Sequence, residues 1–186
     1  MEFKSLFTGT WRLFIKRIVT LILFNLVGCL LCFTIVLIPT VMAGLMRGML
    51  RYAREGTEPK FGELLRFDGF LQTLLLMVVG GMAISIGLML LIVPGVVLMV
   101  WWMYALFFIA DRKMTFGQAM GASKRMVSDG GFWNHFVVLL ILAVLNGLGG
   151  GLGGLGVLIT APFGLLLMTN AYLASIREIT PENCSL

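Results

Sequence analysis

Residues 69–110 read GFLQTLLLMVVGGMAISIGLMLLIVPGVVLMVWWMYALFFIA, forty-two positions without one charged side chain. An α-helix needs about 20 apolar residues to cross the hydrocarbon core of a bilayer. This run is therefore two crossings long, with Val93-Pro94-Gly95 as the turn inside it. Two more charge-free runs flank it, Ile18–Met46 with 29 residues and Gly130–Ile176 with 47. The longer reads as a second helical hairpin. The shorter is long for one crossing and short for two.

All 14 Lys and Arg and all 9 Asp and Glu fall in four islands, residues 1–17, 47–68, 111–129 and 177–186. The basic residues divide among them as 4, 5, 4 and 1, and the turns around Val93-Pro94-Gly95 and Asn146–Gly156 hold none. If each run is a hairpin, every basic residue lies on one face, as the positive-inside rule prefers. If Ile18–Met46 crosses once, Lys4, Arg12, Lys16 and Arg17 are stranded on the other side. Charge thus favours three hairpins, the first borrowing length from its basic flanks.

Composition agrees. Of 186 residues, 59% are hydrophobic and 12% charged, with a mean hydropathy of +1.00, against roughly 45–50% and 25% in soluble domains. A soluble fold of this size could not hide so much apolar surface, which excludes a soluble enzyme, a nucleic-acid binder and a disordered linker. A β-barrel would alternate polar and apolar positions, whereas Val137-Val138-Leu139-Leu140-Ile141-Leu142 is apolar on every side. The fold expected is an all-α, polytopic membrane helix bundle. It has about six membrane helices in three hairpins, plus two short interfacial helices, in a single domain over 1–186. The apolar run near the amino end is too long for a cleavable signal peptide. The net charge of +5 suits cytoplasmic loops facing anionic lipid, not nucleic acid. Both termini are expected in the cytoplasm.

An offset of 55 residues reveals an internal similarity, dividing the chain near 18–68, 69–129 and, more weakly, 130–186. Val36-Leu37-Ile38-Pro39 aligns with Leu91-Ile92-Val93-Pro94, and 22 residues after each proline comes Phe61-Gly62-Glu63-Leu64 or Phe116-Gly117-Gln118-Ala119. Proline is tolerated in a first helical turn, where its missing N–H has no intrahelical role, so Pro39 and Pro94 are placed at the starts of returning helices. The Phe-Gly segments read as surface helices. Thr115 and Gln118 have capping-box spacing; Phe116, Ala119, Met120, Met126 and Val127 would face lipid, with Lys124 and Arg125 at the headgroups. In the other, Phe61, Leu64, Leu65 and Phe67 supply the apolar contacts. Both can equally be plain connectors.

Arg47, Arg51 and Arg54 share one helical face by their i, i+4, i+7 spacing. They line a site for a lipid phosphate or another anion, or they snorkel from a short, shallow helix. Small-xxx-small pairs (Gly44/Gly48, Gly81/Ser85, Ala83/Gly87, Gly147/Gly151, Gly150/Gly154) point to close helix packing, within the bundle or between subunits. The formal G-x-G-x-x-G matches at Gly149–Gly154 and Gly151–Gly156 lack a strand–helix context and carry no nucleotide meaning. His135 has no companion ligands for zinc. Cys29 and Cys32, at membrane depth, read as packing residues; with Cys184 they form no disulfide framework. No metal, cofactor or catalytic residues are expected. Trp11, Trp101, Trp102 and Trp133 are candidate interface anchors. The absence of intramembrane acids disfavours an ion-coupled transporter but not an uncoupled channel gated by an apolar constriction.

The order Val93-Pro94-Gly95, the Ala110-Asp111 exit, Phe116-Gly117-Gln118-Ala119 with Ser123, Phe132-Trp133, and Ile159-Thr160-Ala161-Pro162 followed by Ala171-Tyr172 resembles a known group. These are the uncharacterised bacterial integral membrane proteins related to the membrane domain of glycerophosphodiester phosphodiesterases. The resemblance runs from about Pro39 to Tyr172. It implies a bacterial inner-membrane protein of roughly six helices with no established activity, and it transfers no catalytic residues. The leading expectation is a non-enzymatic protein working through lipid contacts or partner proteins. An uncoupled channel or homo-oligomeric pore comes second, a lipid-metabolising enzyme third.

Overall fold

The computed structural model describes residues 3–31, 37–151 and 156–183, all in helices, turns and short connections, with no strand among them. Cys32, Gly154 and Cys184 lie outside the described residues. The helices are α1 (Phe3–Lys16), α2 (Ile18–Leu31), α3 (Ile38–Glu55), α4 (Phe70–Leu75), α5 (Gly81–Leu90), α6 (Ile92–Trp102), α7 (Ala105–Arg112), α8 (Phe116–Asp129), α9 (Phe132–Gly151) and α10 (Val157–Asn183). One π turn, Leu76–Gly80, joins α4 to α5.

Four continuous helical stretches among the described residues are long and apolar enough to cross a membrane: Phe70–Leu90, Ile92–Arg112, Phe132–Gly151 and Val157–Arg177. They are the two long runs, each folded into a hairpin. Helices suit this composition because they satisfy their backbone hydrogen bonds without water. The first pair turns at Leu91, which is extended between α5 and α6. Gly87 and Gly95 let the two backbones touch there: a methyl group at 87 would sit 3.0 Å from the Gly95 Cα.

Ile18–Met46 also folds back on itself, through shorter helices. Gly28 lies against Leu45, and Phe24 against Gly48, so α2 and α3 run antiparallel. Pro39 and Pro94 both fall in the first turn of their helices, Ile38–Glu55 and Ile92–Trp102. α3 closes on left-handed Gly56 and α7 on left-handed Lys113, whereas α6 ends on right-handed Met103.

α10 is the shared post of the bundle. Phe163 and Leu166 join a core with Phe14, Leu21, Phe24, Val41, Met49, Tyr52 and Leu64. One residue further round, Leu167, Ala171 and Tyr172 enter a second core built on Val100, Tyr104, Phe107, Val127 and Val138. His135 is buried there, its Nδ1 3.1 Å from the Tyr104 hydroxyl. α1 is fastened to α10 by Asn170 donating to Thr10 Oγ1 (2.9 Å), and to α3 by Tyr52 donating to the Leu13 carbonyl (2.6 Å).

Two expectations need correction. Phe61–Glu63 is a single 3-10 turn, not a surface helix. α8 forms with its capping box, but Ala119, Met126 and Val127 face protein, not lipid. The span Ile92–Arg112 breaks at Met103–Tyr104, and Ser123 bridges the break: its hydroxyl donates to the Trp101 carbonyl (2.7 Å) and accepts from the Tyr104 N–H (3.2 Å). That draws α8 onto the bundle. The small residues divide. Gly44 and Gly48 are close-packed, whereas a methyl group added at Gly81, Gly147 or Gly151 would meet nothing within 4 Å, and Ser85 is exposed. On α9 the packed residue is Gly149, against Thr160. Two residues on is about 200° round a helix, so an inward Gly149 turns Gly147 and Gly151 outward.

Candidate functional site

The charged islands meet at one end of the bundle. Arg17 pairs with Glu58, Arg51 with Glu63, and Arg54 with Asp111 through two bonds of 2.6 and 2.7 Å. Tyr172 donates to the same Asp111 carboxylate at 3.2 Å, so α3, α7 and α10 share one ionic knot. The paired carboxylate raises the Arg54 pKa above its usual value, with burial opposing in part. At the other end the α5–α6 turn presents Met89, Leu90, Leu91, Ile92 and Val93, all exposed and none polar.

Arg47 holds the loop after α3. Its guanidinium donates to the carbonyls of Glu63 (3.2 Å), Arg66 (3.0 Å) and Asp68 (3.1 Å). One cation thus binds three carbonyls of the irregular segment 61–68. The loop backbone lies directly on Gly44, where a methyl group would sit 2.6 Å from the Glu63 oxygen and the Leu64 Cα. Burial lowers the Arg47 pKa from its usual value; Asp68 opposes this, Arg66 reinforces it, and Glu63 opposes it. An arginine starting so high stays charged.

Beside this loop lies a cavity of about 400 Å³ lined by Arg47, Arg66, Asp68, Gly69, Gln72, Ile109, Ala110, Lys113 and Met114. Three cations meet one carboxylate, and Arg66 already binds that carboxylate at 2.8 Å. Ile109, Ala110 and Met114 give it an apolar side. Lys113, among the lining residues, has a left-handed backbone (φ 53°), the one positive φ outside glycine among the described residues. Gln72 is oriented by accepting from the Phe116 N–H at 2.9 Å. A cationic hollow with an apolar wall, at the polar end of membrane helices, suits an anionic group carried on an apolar body.

Of the basic residues expected to meet lipid, Arg47 reaches this cavity, while Arg51 and Arg54 are tied to Glu63 and Asp111. Lys124 and Arg125 lie exposed on α8, Lys124 over the Trp101 ring at 4.4 Å. Sequence reasoning missed Arg66, Gln72 and Lys113. For Arg66 and Lys113 the available signal was their position flanking the charge-free run, just before Gly69 and just after Ala110; Gln72 lies inside it, one of its few polar side chains.

These features define a helical membrane protein with its ionisable groups gathered at one end. The chain matches no family model, no curated protein and no solved structure.

Proposed function

We propose that the protein is a non-enzymatic, multi-pass protein of the bacterial cytoplasmic membrane that binds anionic lipid at its charged face. In this reading that face and both termini are cytoplasmic, and the cavity beside Arg47 takes the phosphate-bearing headgroup. The observation that carries it is the convergence of Arg47, Arg66 and Lys113 on one hollow with an apolar side. Its position agrees with the attraction of anionic leaflets for basic membrane-proximal segments. The sequence resemblance described above points the same way on location and on the lack of a recognisable catalytic set.

The test must spare the arginines that hold the fold. Arg66→Gln with Lys113→Asn removes two cations, and asparagine accepts the left-handed backbone at 113. At about 1 kcal/mol per basic group near anionic headgroups, the double variant should bind phosphatidylglycerol roughly 30-fold more weakly. Binding of phosphatidylcholine should not change. Native mass spectrometry with each lipid titrated in measures both; equal phosphatidylglycerol binding by parent and variant contradicts the proposal.

A further inference from the structure

We infer that the first hairpin, α2–α3, does not cross the membrane: it enters and leaves on the charged face, as a wedge in that leaflet alone. The inference rests on helix lengths and loop contacts, independently of the headgroup cavity.

The loop after α3 fixes the level of the membrane surface. It carries exposed Glu58, Lys60, Arg66 and Asp68, which cannot lie in hydrocarbon without a cost of a few kcal/mol each. Yet Pro59, between exposed Glu58 and Lys60, packs on Gly48, only ten residues into α3 from Ile38. At 1.5 Å per residue the helix extends about 15 Å past that level. α2, whose Phe24 lies against the same Gly48, reaches less far. The Phe24 ring lies 5.9 Å from Phe61 of the loop, and Leu31 is seven residues, about 10 Å, further on.

The stretch between Leu31 and Ile38, however it runs, can add no more than about 12 Å out and back at the fully extended limit. Taken from the ends of both helices, the hairpin therefore reaches at most about 25 Å into a core about 30 Å thick, and any tilt shortens it. By contrast Gly69 to Leu90 rises about 30 Å from the same loop. Two hairpins cross and one stops inside.

α1 supports the same placement. Phe7, Trp11, Ile15, Val19 and Leu23 form an exposed apolar row at four-residue spacing through α1 and α2. Lys4, Arg12, Lys16 and Arg17 are exposed along it. A helix with that pairing lies in the interface, its apolar side among acyl chains and its cations at phosphates. The occupant of this surface is the lipid of the charged-side leaflet.

The test uses the full chain in vesicles, with Cys29, Cys32 and Cys184 replaced by alanine and one cysteine introduced by Leu37→Cys, carrying a bimane. Ile38→Cys is the second site should the first disturb assembly. The expected result is strong quenching by lipids brominated midway along their chains and none by iodide added to either side. Iodide quenching from the face opposite Glu58 would show a crossing. Iodide quenching from the Glu58 face would show a hairpin lying outside the hydrocarbon, and failure of both quenchers a tip enclosed in protein. Each of those three results overturns the inference.

Discussion

Alanine at Gly44 is expected to destabilise the protein by about 2 kcal/mol, although alanine is the better helix former. Helix propensity alone gives the substitution roughly 1 kcal/mol in its favour. Overpacking opposes it, at about 3 kcal/mol for a site that cannot yield. Here the obstructing atoms are backbone, the Glu63 oxygen and the Leu64 Cα at 2.6 Å. Moving them would pull carbonyls off Arg47 and separate Glu63 from Arg51. The comparison variant is Gly121→Ala on α8, where a methyl group meets nothing within 4 Å and propensity should prevail. Reversible unfolding in mixed micelles, followed by circular dichroism, should move the two variants in opposite directions. A stabilised Gly44→Ala would mean that the loop does not lie on α3.

Asp111→Ala should cost a similar amount, for an electrostatic reason. The carboxylate takes both Arg54 bonds and the Tyr172 hydroxyl, and its side chain is 13% exposed while that of Arg54 is 43% exposed. A fully buried pair broken on one side loses about 3–5 kcal/mol, and an exposed one about 0–1. The half-open geometry places this one near 2 kcal/mol. Because Arg54 acts through Asp111, Arg54→Ala in the Asp111→Ala background should add little. A double-mutant cycle in the same unfolding assay should give a coupling of about 1–2 kcal/mol. Strict additivity would show that the contact contributes nothing.

Much of this was legible in the chain because hydrocarbon enforces a simple rule. Charge-free runs of 42 and 47 residues had to become hairpins, and clustered charges had to return to one end. Pro39 and Pro94 marked helix starts by the geometry of the missing N–H. What escaped was set by contacts distant in sequence. Nothing local in Phe61-Gly62-Glu63-Leu64 announces that Arg47 will take the carbonyls around it. Nothing in α8 shows that Ser123 will be needed at a break some twenty residues earlier. Small-residue spacing marked Gly147 and Gly151 but could not say which side of α9 turns inward, and Gly149 does. The arginine triplet was found by its spacing, yet its partners, Glu63, Asp111 and the loop carbonyls, emerge only once the elements are assembled.

The account depends on the hydrophilic segments sharing one side of the membrane. The most direct measurement is the reaction of an impermeant maleimide with sealed, oriented vesicles containing Thr8→Cys, Glu58→Cys or Lys124→Cys in the cysteine-free chain. All three positions are exposed and lie in the first, second and third charged islands. The predicted result is that all three react from the same side and none from the other. Reaction of Thr8→Cys or Glu58→Cys from the side opposite Lys124→Cys would contradict it.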